Sequence, residues 1–335
     1  MISTPSAFFQ GGALARFENG LLVTNDQAFD AALIANGVSL VGNASALRHD
    51  EGIRYDREML EVATLRMTML QTLRDAGLTT DLGGLGTILS YWQRSGDMTG
   101  ADVDMSGATR AGQNSLTFDE VGVPIPIFHK EFYVDHRRLL ASRALGSPID
   151  TQMIGISTRV VSQEFESHLF AGLPNLRVGG NQVYGLLTHP DRNTITLTAS
   201  WVTTTADNIL LDVERLATAC FNDLYEGPYI LTVARDIWLK LQRDYSANKG
   251  DNTIMQRILE MPYIKSVQVA NYLTAGNVVL FQATKDVVDV AVAQDISNIA
   301  WQTSPLQTEY KVMMAGAIRV KSEITGKSGI CHGAP

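Results

Sequence analysis

The sequence predicts an α+β fold with a compact α/β half, and three features of the chain carry that prediction. A hairpin of roughly forty residues is predicted after Leu78, which is longer than most connections inside a compact domain. One long helix is predicted from Pro148 to Ala171. After Asp207, helical and strand-like segments alternate, as they do in an α/β unit.

The composition and charge are those of an ordinary globular protein, and they do not favour binding to nucleic acid. Hydrophobic residues make up 45% and charged residues 19% of the 335 positions, which is enough apolar mass for two subdomains. The net charge is -8, and no cluster of basic residues extends beyond the pair Arg137-Arg138. Proteins that bind phosphate backbones carry a basic face, so we expect no sequence-specific contact with DNA.

The two cysteines and the short apolar runs indicate the cellular compartment in which the protein is expected. Cys220 and Cys331 match no metal-binding or redox spacing, and Cys220 is expected to be a buried free thiol on a helix. The apolar runs are shorter than the ~20 residues that cross a bilayer, and the start of the chain lacks a signal-peptide pattern. We therefore expect a protein of a reducing cytoplasm, without membrane contact.

The N-terminal part is predicted to be an arm followed by a helix. Residues 1–54 are rich in Gly, Asn and Ala and bury little by themselves, so they need another surface to lie against. Apolar residues recur at three- and four-residue spacing from Asp56 to Ala76, which predicts one helix. Asp56 is suited to cap its start, and Gly77 is suited to end it in the left-handed conformation.

The next segment is predicted to be the long hairpin. A strand-like run, Thr87–Trp92, leads into a polar tip from Ser95 to Gln113, and the chain returns as a strand at Ser115–Phe118. The hairpin carries little hydrophobic mass that could hold it on its own globule. We therefore expect it to lie against a partner.

The longest predicted helix has a clear start and a clear end. Ser147 is a suitable N-cap, Pro148 suits the first helical position, and Asp150 suits a capping box. The helix is expected to stop at Gly172. Its predicted core stripe consists of Ile154, Val161, Phe165 and Leu169.

The rest of the chain is predicted to alternate between helices and strands. The expected helices are Asp207–Leu224, Asp236–Tyr245 and Thr253–Glu260. The expected strands are Thr194–Thr198, Tyr229–Ala234, Ser266–Ala270, Asn277–Gln282 and Val287–Ala293. A final extended run from Thr308 to Ile324 is expected to return to the first half of the chain.

No motif predicts a catalytic centre or a cofactor site. Gly326-Lys327-Ser328 looks like the end of a phosphate-binding loop, but Lys321 stands where its first glycine is needed and no helix can follow. The stretch from Asp102 to Gly107 copies the first half of a calcium loop, but Gln113 replaces the chelating glutamate. Arg110 would also bring a positive charge to that metal. We therefore expect no enzyme activity, no bound metal and no cofactor.

The order of the predicted elements resembles that of a known family. An arm, a long hairpin, a long helix, an α/β half and a returning strand follow one another in the Hong Kong-97 fold. That fold belongs to tailed-phage major capsid proteins and bacterial encapsulin shells, and the resemblance covers roughly residues 55–330. Four stretches look encapsulin-like: Val123–Phe132, Leu145–Asp150, Glu164–Gly172 and Val183–Leu187.

The resemblance implies a division of the chain into the parts of that fold. The implied parts are an N-terminal arm (1–54), an N-terminal helix (55–77), an E-loop hairpin (78–122), a P domain (123–200 and 306–335, with a spine helix at 148–171) and an A domain (201–305). By resemblance, the E-loop would lie over a neighbouring subunit. The A domains would meet around five- and six-fold centres.

The function that the resemblance implies is that of a major capsid protein. Its copies would self-assemble as pentamers and hexamers into the icosahedral head that encloses phage double-stranded DNA, with the shell assembled in the host bacterial cytoplasm. A separate scaffolding protein, a portal and a decoration protein are the expected partners. Some members cross-link through an E-loop lysine, but the first lysine here is Lys130, so a noncovalent shell is expected.

Contacts with a neighbouring subunit are predicted for six residues of the hairpin: Trp92, Arg94, Asp97, Asp102, Asp104 and Arg110. The charged members could pair with complementary charges on the neighbour and set the register between subunits. An equally open reading is a solvated loop, in which such pairs contribute little energy.

Two other functions stay open on the sequence alone. The chain could form an encapsulin nanocompartment that holds enzyme cargo. The arm of residues 1–54 is longer than a minimal encapsulin needs, which favours the phage. The chain could also be a soluble α/β enzyme, although the missing motifs make that the weakest of the three interpretations.

Overall fold

The structure of the protein is a computed structural model. It describes residues 16–18, 21–23, 49–96, 103, 105, 117–135, 137, 140–141, 151–246, 252–304 and 307–335. The chain forms two compact units. Unit 1 comprises residues 1–66, 128–162 and 295–314, and unit 2 comprises residues 67–127, 163–294 and 315–335.

The described residues contain six helices and fifteen strands. The helices are α1 (His49–Arg66), α2 (Thr68–Asp75), α3 (Gln152–Ala171), α4 (Ala206–Asn222), α5 (Arg235–Leu241) and α6 (Ile254–Leu259). The first eight strands are β1 (Arg16–Glu18), β2 (Leu21–Val23), β3 (Thr79–Asp81), β4 (Leu89–Ser95), β5 (Phe118–Pro124), β6 (Ile127–Asp135), β7 (Leu173–Val178) and β8 (Asn181–Val183). The others are β9 (Asn193–Thr196), β10 (Tyr229–Ala234), β11 (Ile264–Ala270), β12 (Val278–Gln282), β13 (Val288–Ser304), β14 (Gln307–Val320) and β15 (Ile330–Ala334).

The first predicted helix is in fact two helices. Helix α1 begins at His49, before the predicted cap Asp56, and Met67 with φ -90° and ψ 64° separates it from α2. The prediction of one helix starting at Asp56 is therefore wrong at its start and in its middle. Apolar spacing continues on both sides of Met67, so the pattern does not reveal a break of one residue. The predicted end is confirmed, because Gly77 has φ +75°.

The long helix α3 confirms the predicted spine within the described residues. All four residues of the predicted stripe are buried. Gly172 follows the helix with φ +69°, and a Cβ at this position would lie 2.6 Å from the carbonyl oxygen of Val183, so the position requires glycine. The predicted caps Ser147, Pro148 and Asp150 lie outside the described residues.

Unit 1 has an aromatic core. The ring of Tyr310 on β14 stacks on Phe132 of β6 with centroids 5.2 Å apart, and it meets Tyr55 of α1 edge-on at 5.8 Å. All three side chains are buried. Lys311 and Glu131 form a more exposed ion pair of 2.9 Å beside this cluster. The aromatic rings therefore pack α1 against these two strands.

Unit 2 contains two hairpins. Strands β4 and β5 pair from Leu89 opposite Pro124 to Ser95 opposite Phe118. Among the described residues the returning strand is Phe118–Pro124, so its predicted end at Phe118 is wrong, because Gly122 and Pro124 are poor strand formers. Ser115 and Leu116 of the predicted strand lie outside the described residues. A second hairpin, β7–β8, turns through Gly179-Gly180 with φ 58° and 84°. Gly-Gly between two strands is a hairpin signal, so this dipeptide could have indicated the second hairpin.

The core of unit 2 is a five-stranded mixed sheet with the order β11-β10-β12-β15-β9. Strand β10 runs parallel to β11 and antiparallel to β12, and all six of its residues are buried. Helices α4, α5 and α6 contact this sheet. The strands predicted for this sheet and the predicted helices of this half are confirmed to within a few residues, because continuous buried runs such as Tyr229–Ala234 are strong strand signals. Cys220 is a buried free thiol on α4, as predicted.

Strand β15 is the element that the sequence signals least. It lies between β12 and β9, antiparallel to the first and parallel to the second. Its sequence includes Gly333, which is unfavourable in a strand. A Cβ at Gly333 would lie 2.7 Å from a methyl group of Val278, so the glycine allows the close fit against β12. Residues 330–334 are therefore an inner strand of the sheet.

The four-stranded sheet has the order β3-β13-β14-β6. Within unit 2, β3 pairs in parallel with Val290–Val292 of β13. Strand β13 is 17 residues long and continues well beyond the predicted end at Ala293. Strand β14 confirms the run predicted from Thr308, and its position beside β6 confirms the predicted return to the first half.

Candidate assembly surface

The base of the long hairpin is a two-stranded ribbon whose two faces differ. Side chains alternate along a strand, so Tyr91 and Trp92 of β4 point to opposite sides. Trp92 packs against a buried cluster that includes Val123, Val183, Ala291 and neighbouring residues of unit 2. We call this the inner face of the ribbon, and the side that bears Tyr91 the outer face.

The outer face exposes two aromatic side chains, and Asn181 of β8 reaches this face beside Gly122. Tyr91 is 52% exposed and Phe118 is 63% exposed. The ring of Tyr91 lies across Gly122 of β5, where a Cβ would come within 2.8 Å of the ring. Gln93 and Glu120 are paired across the ribbon between these two aromatic positions. The outer face is therefore a partly apolar, partly polar surface of the kind that forms contacts between proteins.

The predicted contact residue Arg94 is bound within its own chain. Its Nη2 donates to Asp119 Oδ2 at 2.7 Å across the ribbon, and its Nη1 lies 3.4 Å from Asp191 Oδ2 and 3.4 Å from Ser322 Oγ. Ser322 also donates to Asp191 at 2.5 Å. Arg94 thus joins the outer end of the ribbon to two separate segments of unit 2.

The other predicted contact residues are distributed differently. Trp92 lies on the inner face with Arg94, while Asp97, Asp102, Asp104 and Arg110 lie outside the described residues. The calcium-like stretch lies outside them as well, apart from two apolar positions, Val103 and Met105, which are both fully exposed. Their contact role with a neighbour stays a prediction.

Several exposed residues of the hairpin were not predicted from the sequence, because the prediction concentrated on charged residues. They are Tyr91, Phe118, Val103 and Met105. Strict alternation separates Tyr91 from Trp92, but the pattern does not say which side faces the globule. That choice depends on the packing of Trp92 against distant strands, which the sequence does not display.

A buried charge network holds the inner end of the ribbon. Arg319 Nη1 donates to Ser90 Oγ at 2.8 Å, while its Nε and Nη2 donate to the two oxygens of Asp289. Thr80 also donates to Asp289 at 2.8 Å. Burial raises the pKa of Asp289, but the hydrogen bonds and charge of Arg319 outweigh burial, so the pKa lies below its usual value. The carboxylate is therefore ionised and fully paired.

A second buried acid, Glu166, has no such counter-charge among the described residues. Glu166 of α3 is completely buried, and its Oε1 accepts a hydrogen bond of 2.9 Å from the backbone amide of Leu70. That amide belongs to the first turn of α2, whose N-cap residue, Met67, makes no side-chain cap. Burial raises the pKa of Glu166 to about 7, although the backbone hydrogen bonds of Leu70 and Met69 oppose the shift. Glu166 therefore caps α2 and changes charge near neutral pH.

The reactive residue types of the described chain are not arranged as a catalytic centre. Cys220 and Cys331 are buried, and burial raises the pKa of the Cys331 thiol to about 12, so it is protonated and a poor nucleophile. Burial also lowers the pKa of His189 to about 4. No group of three or more His, Cys, Asp or Glu among the described residues could hold a metal ion. No described helix is long and apolar enough to cross a membrane.

Solved structures with the same fold are capsid and virus-like particle proteins. The virus-like particle from Pyrococcus furiosus matches with a TM-score of 0.59 and 17% identity, over 85% of this chain and 98% of that chain. The capsid of Myoviridae phage XM1 matches with a TM-score of 0.62 and 9% identity, over 78% and 90%. The chain therefore has the predicted Hong Kong-97 capsid fold.

The sequence comparisons place the chain in a family. Residues 43–333 match the model described as "Family of unknown function (DUF6260)", and the chain belongs to that family. The type 1 encapsulin shell protein EncA of Myxococcus xanthus is 24% identical over 283 residues, which cover 82% of this chain and 90% of that protein.

Proposed function

We propose that the chain is the subunit of a closed protein shell built from many copies of itself. The observation that carries this proposal is the outer face of the ribbon, where Tyr91 and Phe118 are exposed although the inner face is firmly packed. A ribbon that is fixed on one side and apolar on the other is suited to cover a neighbouring copy. The names of the similar proteins, a capsid and a shell protein, support the same function.

Symmetry explains how one such surface can build a shell. When the rotations that relate neighbouring subunits belong to a point group, the repeated contact produces a closed shell. Each contact then buries the outer face of one hairpin against the next subunit. The proposed division is the one in the sequence, with the E-loop at 78–122, the P domain at 123–200 and 306–335, and the A domain at 201–305.

The shell that we propose is the icosahedral head of a tailed phage, filled with double-stranded DNA. The likeness to the phage XM1 capsid supports this choice. The net charge of -8 fits a container that holds DNA without sequence-specific binding. In this proposal a scaffolding protein, a portal and a decoration protein are separate chains, and assembly takes place in the host cytoplasm.

A second candidate is a nanocompartment that encloses protein instead of DNA. The 24% identity to an encapsulin shell protein favours it, because that match extends over 90% of the relative. Both candidates use the same subunit contacts. They differ only in what the shell contains.

The contents of purified particles distinguish the two candidates. Particles from cells that express the full chain with its genetic neighbours would be treated with nuclease, opened and analysed for nucleic acid and protein. Long protected DNA and a unique portal vertex are expected for the phage head, whereas a co-purifying enzyme without DNA would favour the nanocompartment. Denaturing gels should show monomers, because Lys130 is the first lysine and follows the hairpin. A protein that stays monomeric or dimeric in the presence of scaffold would contradict both candidates and favour the enzyme interpretation.

A further inference from the structure

Two sets of side-chain hydrogen bonds join strand β4 of the ribbon to other segments of unit 2, one on each side of Trp92. At the inner end, Ser90 accepts from Arg319, whose guanidinium also holds Asp289. At the outer end, Arg94 reaches Asp191 and Ser322. Because both attachments lie on one strand, the first fixes the root of the ribbon and the second fixes its direction.

The two attachments differ in their exposure to water. The side chains of Arg319 and Asp289 are 9% and 1% exposed, whereas those of Arg94 and Asp191 are 22% and 24% exposed. Removing one partner of a buried ion pair leaves an unpaired charge in the protein, so the inner attachment is hard to open. A partly exposed pair at 3.4 Å exchanges readily with water and is weakened by salt.

The acceptor at the outer end is itself held in place. The backbone amide of Asp191 donates to His189 Nδ1 at 3.2 Å, and Arg192 Nη1 donates to the carbonyl oxygen of His189 at 2.8 Å. These bonds stiffen the short loop that presents the Asp191 carboxylate. The Asp191 carboxylate is therefore held in a fixed position, whereas the Arg94 side chain that binds it belongs to the ribbon.

We propose that Arg94 and Asp191 form a releasable clip that positions the outer half of the ribbon, while Arg319 pins the inner half. When the clip opens, the described outer half of the ribbon swings about the segment near Trp92 and Val121, and the root stays attached. Arg94 and Asp191 are positioning residues in this proposal. Arg94 acts within its own subunit and sets the direction from which the hairpin reaches a neighbour.

The backbone of the ribbon provides reporters for both halves. Gly96 donates to the Thr117 carbonyl and Ile125 donates to the Ile88 carbonyl, and in an antiparallel ribbon every second pair is hydrogen-bonded. The pair Arg94 and Asp119 therefore reports on the outer half. The pair Ser90 and Val123 reports on the inner half.

Hydrogen–deuterium exchange of the full-length chain tests the clip through the variant Asp191→Asn. The variant removes the charge but keeps the shape and an acceptor for Ser322. Near 20 mM salt, the amides of Arg94 and Asp119 should exchange about two- to fivefold faster than in the unchanged protein, as expected for the loss of a partly exposed ion pair. The amides of Ser90 and Val123 should be unaffected. The matched control is Glu120→Gln, which removes a carboxylate from the same ribbon and should leave all four amides unchanged.

A salt series on the unchanged protein provides a test that does not depend on a variant. Raising the salt to about 1 M should speed exchange at the outer pair alone, and it should abolish the difference between Asp191→Asn and the unchanged protein. Equal exchange at the outer pair in both proteins at low salt would overturn the proposal, as would equal acceleration of both pairs. The samples must share one assembly state, which light scattering verifies. The amide exchange rates report on contacts within one subunit. The experiment can therefore contradict this proposal without contradicting the shell function.

Discussion

The five-stranded sheet and the hairpin ribbon use the same kind of strand in opposite ways. All six residues of β10 are buried, so both faces of the sheet contribute to folding. The ribbon packs the partly buried Trp92 on one face and leaves Tyr91 exposed on the other. The sheet can therefore complete its core within the chain, whereas half of the ribbon is left for a contact outside it. Substitutions in the two regions should separate stability from assembly.

The largest effect is expected at Arg319, which joins the ribbon to strands β13 and β14. The variant Arg319→Met leaves Asp289 buried without its main partner, and Lys321 at 3.4 Å replaces it only in part. The free energy of unfolding should fall by about 3–5 kcal/mol, measured by denaturant titration. Adding Asp289→Leu should restore much of the loss, because no unpaired charge then remains. A single variant as stable as the unchanged protein would contradict the pinning role of Arg319.

The second largest loss of stability is expected from a variant that creates a cavity in the middle of the five-stranded sheet. Leu231 lies in the centre of β10 and is completely buried, so Leu231→Ala should cost about 2–5 kcal/mol of unfolding free energy. The control Lys265→Ala changes an exposed residue of the neighbouring strand β11 and should alter stability by less than about 0.5 kcal/mol. Equal effects of the two variants would show that the sheet is not the core of unit 2.

A smaller, pH-dependent effect is expected from Glu166. Its pKa is about 7 in the folded protein and near 4.3 in an unfolded chain, so the folded state binds the proton more tightly. The contribution to stability is fully present below about pH 4 and is lost as the pH rises to about 7, by up to about 4 kcal/mol. The variant Glu166→Gln imitates the protonated form and should remove this part of the pH dependence.

The measurement for Glu166 is a denaturant midpoint recorded at several values between pH 4.5 and pH 8. Above pH 7 the Glu166→Gln variant should be the more stable protein, and near pH 4.5 the two should agree. Glu164→Gln is the control, because it removes an exposed carboxylate from the same helix. If Glu166→Gln were destabilising at every pH, the buried carboxylate would have to be ionised and paired, as Asp289 is.

The smallest effect on folding is expected on the outer face of the ribbon, together with the largest effect on assembly. The double variant Tyr91→Ser with Phe118→Ser removes exposed rings and should change the unfolding free energy by less than about 1 kcal/mol. Sedimentation should nevertheless show subunits or small oligomers in place of particles. The control Gln93→Ala lies on the same face and should still assemble. Normal particles from the double variant would mean that this face is not a subunit contact.

The sequence predicts the elements well where a single local pattern decides them. The stripe of α3 and the buried run of β10 follow from periodicity, and both are confirmed. Strand β15 has no such pattern, because its place depends on the close approach that Gly333 permits. The break at Met67 is set by tertiary contact, since Glu166 caps α2 from 96 positions further along the chain.

The candidate surface was predictable only in part. The length and polarity of the hairpin indicate a contact with another chain, and that contact stays a prediction. Which residues face outward depends on long-range partners, because Arg94 binds Asp191 and Ser90 binds Arg319, which lies 229 positions away. Charge alone therefore draws attention to Arg94, whereas the exposed aromatic residue is its near neighbour Tyr91.

Cryo-electron microscopy of particles purified from cells that express the full chain tests the shell function most directly. The account predicts closed particles with icosahedral symmetry, in which Tyr91 and Phe118 of each hairpin are covered by an adjacent subunit. Separate monomers or dimers would contradict it, and so would a shell in which both aromatic side chains remain in solvent.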